Sequence, residues 1–188
     1  MRLFIAILVP DDIKQLALQA KKQLIRIKPD VKWVKYENYH ITLKFLGEVN
    51  YTQLNKIKQK LEAVSQICAP IRLNSSSIGF FPARNRPRII WLGFKGELEK
   101  AGILSGRLDT ALSELGFAAE TNRRFHLTLG RMRSLRNIEG FLTITDKINN
   151  DLESYDIKVN HFCLMESQLF PEGPQYTVLE KYILNKEE

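Results

Sequence analysis

One five-residue pattern occurs twice in the chain, as Tyr39-His40-Ile41-Thr42-Leu43 and Phe125-His126-Leu127-Thr128-Leu129, with the histidines 86 residues apart. Each copy reads aromatic, His, aliphatic, Thr, Leu. In a strand, successive side chains point to opposite faces. His40 and Thr42 therefore share one face and Ile41 and Leu43 the other, and the same holds for His126 and Thr128 against Leu127 and Leu129. Such a strand separates an aliphatic core from a polar cleft. A single His-x-Thr is an ordinary hydrogen-bonded strand position, but a repeat of the whole pattern is harder to dismiss. Each copy follows a strand and a long helix, so the two halves read as related β-α-β lobes. Packed about a pseudo-twofold axis, they would bring both copies to one cleft.

The remaining elements follow from periodicity and punctuation. Arg2 to Val9 reads as a strand rather than a signal core, because Pro10, Asp11 and Asp12 follow at once and no small-residue cleavage site appears. Asp11 or Asp12 is expected to cap a helix carrying Ile13, Leu16, Leu18, Leu24 and Ile27 and ending before Pro29. Strands are expected over Val31–Val34 and Tyr39–Leu46. Thr52 is expected to cap a helix with Leu54, Ile57, Leu61 and Val64 on one face. A strand Ile71–Ile78, a loop Gly79–Pro87 and a strand Ile89–Phe94 come next, then a helix Leu98–Leu115 stopped at Gly116. Phe125–Met132 is a strand, Ile138–Ile148 a helix, and Tyr155–Glu166 and Tyr176–Leu184 are strands around the turn-rich Pro171–Pro174.

At 188 residues, 44% hydrophobic and 26% charged, the chain suits one soluble domain, 1–188, with a core that needs no disulfide. No run approaches the length of a membrane helix. Cys68 and Cys163 lie far apart in apolar surroundings, which predicts buried free thiols and a cytoplasmic location. The net charge of +7 favours a polyanionic partner, with arginines crowded at 84, 86 and 88 and again at 123, 124, 131, 133 and 136.

An imidazole gives or takes a proton near neutrality, and a threonine hydroxyl donates to a non-bridging phosphate oxygen, so two His/Thr pairs facing one cleft suit phosphoryl chemistry. A metal site is the competing use of two histidines. The chain has only three histidines, however, and neither motif carries a second ligand at a zinc-type spacing. His161, in the apolar run Val159–Met165 with no threonine two residues on, is expected to be a hydrogen-bonded structural position outside the site.

The paired His-x-Thr signature resembles the 2H phosphoesterase superfamily, and within it the RNA 2′,3′-cyclic phosphodiesterases formerly called 2′-5′ RNA ligases. The resemblance spans nearly the whole chain. It includes Arg2-Leu3-Phe4-Ile5-Ala6, Trp33-Val34, His40 through Glu48, Pro87-Arg88-Ile89-Ile90-Trp91, Glu166-Ser167, and Pro171-x-Gly173-Pro174-x-Tyr176. It implies an α+β, bilobal fold, with two pseudo-symmetric β-α-β lobes and antiparallel sheets around a central cleft. It further implies an enzyme without metal that opens the 2′,3′-cyclic phosphate at an RNA terminus to a 2′-phosphate; no cofactor is expected, and because nothing in the chain suggests an obligate partner, a monomer is expected. Carried to this sequence, His40 is the proton donor, His126 the proton acceptor, and Thr42 and Thr128 hold the phosphate oxygens.

The resemblance also implicates the residue five after each histidine, here Phe45, suited to stacking on a base, and Arg131, suited to a phosphate. Strict alternation puts both on the wrong face, so each strand must end, twist or bulge first, or else these are core or surface groups. Many members carry proline directly before the second histidine where this chain has Phe125, a change that can alter local geometry without touching the chemistry. Three other readings stay open: a basic protein that binds RNA ends without turnover, the reverse joining reaction through a 2′-5′ linkage, and action on small cyclic nucleotides.

Overall fold

The structure, a computed structural model, describes residues 1–121 and 123–185. Its elements in chain order are β1 Arg2–Leu8, α1 Asp11–Ile25, β2 Val31–Trp33, β3 His40–Glu48, α2 Tyr51–Gln66, β4 Ile71–Phe81, β5 Ile89–Gly96, α3 Leu98–Ser113, β6 His126–Met132, α4 Ile138–Asp151, β7 Asp156–Val159, β8 His161–Phe170 and β9 Gly173–Ile183. The described strands pair antiparallel in the order β7-β4-β5-β6-β3-β1-β8-β9, with β2 alongside β6. This is the expected α+β class, built on one curled sheet.

The order is a palindrome about the contact between β6 and β3. There Ile41 pairs with Leu127, so the same position of each histidine motif meets its counterpart. Outward from that axis, β1 beside β3 matches β5 beside β6, and β8 beside β1 matches β4 beside β5. β4, which follows α2, thus lies on the side of β5 and β6, and β8, which follows α4 and β7, lies on the side of β1 and β3. The helices obey the same relation, with α1 packing on α4 as α2 packs on α3. Their apolar faces, including Ile13, Leu24, Ile57, Leu61, Leu104 and Leu108, bury against the Ile5, Ile41, Ile90 and Leu127 face of the sheet.

Several local expectations are corrected. Pro10, not an aspartate, holds the N-cap position of α1; Asp11 and Asp12 fall in its first turn, where negative charge favours the helix N-terminus. Ala17 and Ala20 supply the buried face in place of Leu18, and α1 ends before Ile27. Asn50, not Thr52, caps α2, its side-chain oxygen accepting the Thr52 N–H at 3.1 Å. Gly79, Phe80 and Phe81 continue β4 rather than opening a loop, pairing with Trp91, Ile90 and Ile89. Glycine there is not a breaker: a Cβ at Gly79 would lie 2.3 Å from the Trp91 ring, so its absence lets the indole lie on the backbone. The expected single strand from Tyr155 to Glu166 divides at Asn160, because Val159 pairs with Ile71 of β4 whereas His161 pairs with Ile183 of β9. The turn before β9 is only Pro171-Glu172, with Gly173 and Pro174 already in the strand.

No helix of the described residues is long and apolar enough to cross a membrane. Cys68 and Cys163 are both buried and free.

Candidate active site

Both histidines are held in the same way. His40 Nδ1 lies 2.7 Å from the Asn38 carbonyl oxygen, and His126 Nδ1 lies 2.6 Å from that of Arg124, in each case the carbonyl two residues before the ring. A carbonyl only accepts, so Nδ1 carries the proton in both rings and Nε2 is left to titrate. His40 Nε2 lies 3.0 Å from Thr42 Oγ1. Because Ile41 pairs with Leu127, the antiparallel register sets Thr42 toward His126 and Thr128 toward His40 across the axis. Thr42 and His126 accordingly line one cavity of about 310 Å³, with Phe45, Phe81, Arg124 and Phe125.

Aromatic rings fix each imidazole from the flank. Phe4 of β1 and Tyr176 of β9 lie 5.0 and 5.3 Å from the His40 ring, the latter edge-on. Phe81 of β4 and Trp91 of β5 lie 5.0 and 6.3 Å from His126. Arg124 stacks its guanidinium 5.0 Å from the Phe81 ring centre. Burial lowers the pKa of His40; the Asn38 carbonyl opposes this, and the nearby charge of His126 adds to it, leaving the net direction down. For His126, burial again lowers the pKa, the Arg124 carbonyl opposes, and the Arg131 and Arg124 charges add to the lowering.

The odd offset of Phe45 and Arg131 is resolved by two β-bulges at equivalent positions. Ile5 pairs with Lys44 and Ala6 with Thr42, so Leu43 is the extra residue of β3. Ile90 pairs with Gly130 and Trp91 with Thr128, so Leu129 is the extra residue of β6. Each bulge shifts the strand's phase by one residue. Phe45 returns to the His40 face, 62% exposed, with its ring 6.2 Å from that of Phe4. Arg131 is exposed and close enough for its charge to act on His126.

The first bulge also turns Lys44 into the protein, where it is 1% exposed. Its Nζ donates to Asp109 Oδ1 of α3 and to the Ala118 carbonyl, each at 2.5 Å. Asp109 also accepts from the Glu120 N–H at 3.0 Å and from Arg123, and Glu120 in turn accepts the Phe45 N–H at 3.2 Å. This network ties the segment before β6, and with it the Arg124 carbonyl that orients His126, to β3. Lys44 and Asp109 were invisible to pattern reasoning, which scores a lysine in a strand as surface. Burial would raise the pKa of Asp109, but the hydrogen bonds from Lys44, the Glu120 N–H and Arg123 outweigh it and hold the carboxyl below its usual value. Its contribution to stability is therefore full at neutral pH and is lost as pH falls through that depressed value. Acid unfolding followed by circular dichroism should show a step below about pH 4 that disappears in Asp109→Asn.

His161 stands apart, in a separate crevice of about 470 Å³ between the end of β1 and β7. Partly exposed there, its ring has no protein hydrogen bond among the described residues, contrary to expectation. Of the clustered arginines, Arg84 pairs with Asp146 and Arg123 with Asp109, while Arg124 and Arg131 face the cleft region. Among the described residues no group of three or more His, Cys, Asp or Glu side chains is arranged to hold a metal ion.

The family profile described as LigT like Phosphoesterase matches residues 7–91 and 97–176, close to the two halves that the fold relates. The chain belongs to the LigT-like phosphoesterase family. Relatives from Archaeoglobus fulgidus and Methanocaldococcus jannaschii, both named RNA 2′,3′-cyclic phosphodiesterase, are each 35% identical; the alignments cover 97% of this chain and 99% and 100% of theirs. Among solved structures, a Thermus thermophilus protein superposes on this LigT-like chain with a TM-score of 0.81 at 26% identity over the whole of both chains. Escherichia coli LigT in its apo form superposes with a TM-score of 0.75 at 22% identity over 98% of each, a likeness of fold.

Proposed function

We propose that this protein is a metal-independent phosphodiesterase that opens 2′,3′-cyclic phosphate ends of RNA to 2′-phosphate ends, with His40 as proton donor and His126 as proton acceptor. The observation that carries this reading is the mirrored seating of the two imidazoles. Each has Nδ1–H committed to a backbone carbonyl, leaving Nε2 to exchange a proton. The names of the full-length relatives supply the substrate class.

The cyclic phosphate lies on the axis, its non-bridging oxygens accepting from the Thr42 and Thr128 hydroxyls. Neutral His126 takes a proton from water through Nε2 as the water oxygen attacks phosphorus. The bond from phosphorus to the ribose 3′ oxygen breaks on the opposite side, and protonated His40 gives its Nε2 proton to that oxygen. The products are a 3′-hydroxyl and a 2′-phosphate. Phe45 stacks on the terminal base and Arg131 offsets phosphate charge.

The deciding experiment incubates the purified protein, in EDTA, with a short RNA ending in 2′,3′-cyclic phosphate and locates the phosphate in the product. A 2′-phosphate is expected. Unchanged substrate that is nevertheless retained on the protein would indicate an end-binding protein instead.

Because both histidines titrate below the ordinary value of 6.5, the maximum of kcat/KM, midway between their two macroscopic pKa values, should fall on the acid side of pH 6.5. The kcat profile should lie higher, since bound phosphate charge raises both pKa values. A kcat/KM maximum above about pH 7.5 would contradict these assignments.

A further inference from the structure

Under the proposed mechanism the ribose keeps the 3′ oxygen that His40 protonates, so the terminal nucleoside and all RNA 5′ to it lie on the His40 side of the axis. On that side the site does not stop at Phe4 and Tyr176, the two rings that flank His40. Along β1, Leu3, Ile5 and Ile7 belong to the main core, whereas Phe4, Ala6 and Leu8 lie on the cleft face with Cys163, Met165 and Tyr176. Alternation therefore sets Arg2 on the cleft face, two residues or roughly 6.6 Å past Phe4.

The same alternation continues up the β8–β9 hairpin. Met165 pairs with Val178, Ser167 with Tyr176 and Leu169 with Pro174, which puts all six on the cleft face. Leu169 is 68% exposed and Val178 45% exposed, an apolar strip continuous with Tyr176 and leading away from His40. The Asn38 side chain, two residues before His40, donates to the Pro174 carbonyl at 2.7 Å and so braces this hairpin against the histidine strand. Arg2 has no ion pair among the described residues; Glu48 across from it on β3 is drawn to the Met1 ammonium at 3.7 Å. Burial raises the pKa of the Tyr176 phenol, and the charges of Arg131 and Arg2 pull it back, which puts both guanidinium groups within electrostatic reach of that ring.

We propose that this strip, Arg2 with Leu169, Pro174 and Tyr176, is a subsite for the nucleotide immediately 5′ to the cyclic-phosphate nucleotide, so that the enzyme recognises at least a dinucleotide. Arg2 takes the phosphodiester that joins the two nucleotides, and the penultimate base packs on the apolar hairpin. An exposed apolar surface flanked by a free guanidinium suits a single-stranded nucleic acid, whose bases need a platform and whose backbone needs a cation. This inference rests on the proposed function, because the direction of the chain follows from which histidine protonates the 3′ oxygen.

The test compares kcat/KM for a 2′,3′-cyclic mononucleotide and for a dinucleotide with the same cyclic end, in the wild type, Arg2→Gln and Leu169→Ser. Both replaced side chains are exposed, so the fold does not depend on them. The wild type is expected to prefer the dinucleotide roughly tenfold, within the range that stacking of one base provides. Each variant should bring that ratio toward one, and Arg2→Gln should also make the salt dependence on the dinucleotide shallower by about 0.7 in log–log slope. Hydrolysis of both substrates with a wild-type ratio near one, or equal losses on both in the variants, would overturn the subsite and leave the proposed function standing. Hydrolysis of neither would overturn both. A concentration-dependent dimer that Leu169→Ser abolishes without moving the ratio would reassign the strip to self-association.

Discussion

His40→Ala and His126→Ala are each expected to lower kcat on an RNA 2′,3′-cyclic phosphate by about 10²- to 10⁴-fold, the usual contribution of one positioned proton-transfer group. Single-turnover measurements of product formation test this. The two effects should not multiply, because donor and acceptor serve one transition state; the double variant should be only modestly slower than the worse single one. His126→Ala should remove the limb of the pH profile that reports the base and His40→Ala the limb that reports the acid. Full activity in either variant would refute the proton-transfer assignment of that histidine. Each ring is flanked by two aromatic rings, so thermal melting should accompany the kinetics to separate loss of chemistry from loss of packing.

The second large effect is on stability. Asp109→Asn leaves Lys44 fully buried without its counter-charge, and Lys44→Met removes the cation that reaches both Asp109 and the Ala118 carbonyl. Breaking a buried ion pair from one side costs about 3–5 kcal/mol. At about 2–4 °C per kcal/mol for a chain of this size, each single variant should melt roughly 6–20 °C lower. The double variant should be less destabilised than the sum of the two, since no buried charge is then stranded and Arg123, the other partner of Asp109, is partly exposed. Additive losses, or a shift of only a degree or two, would mean that the pair does not hold the segment before β6. Melting curves at neutral pH decide between these outcomes.

The signal for the candidate site lay in the repeat. Two copies of aromatic-His-aliphatic-Thr-Leu implied two strands with polar pairs on one face, and the pairing of Ile41 with Leu127 is where that repeat becomes a symmetry axis. Phe45 and Arg131 show where the legibility ended. From the sequence their odd offset was a contradiction; the bulges at Leu43 and Leu129 remove it. A bulge belongs to two strands at once, since it appears only when the partner's hydrogen bonds are assigned. Period-2 reasoning within one strand cannot detect it.

Other gaps have the same origin. Gly79 resembled a loop signal because the indole of Trp91, which occupies the space of its missing side chain, comes from a neighbouring strand. The run from Tyr155 to Glu166 read as continuous because alternation is local, whereas its division at Asn160 reflects a change of partner from β4 to β9.

From the sequence alone came the α+β class, the order of most strands and helices, the buried free cysteines, and the two His/Thr pairs with their shared face. Each of these depends on composition or on a side-chain period within a few residues. Tertiary structure alone decided the exchange of outer strands between the two sides, the inward turn of Lys44 onto Asp109, the carbonyls that orient both imidazoles, and the exposed hairpin beside His40. These depend on which distant segments meet, because a hydrogen bond, an ion pair or a bulge is a property of two chain segments together.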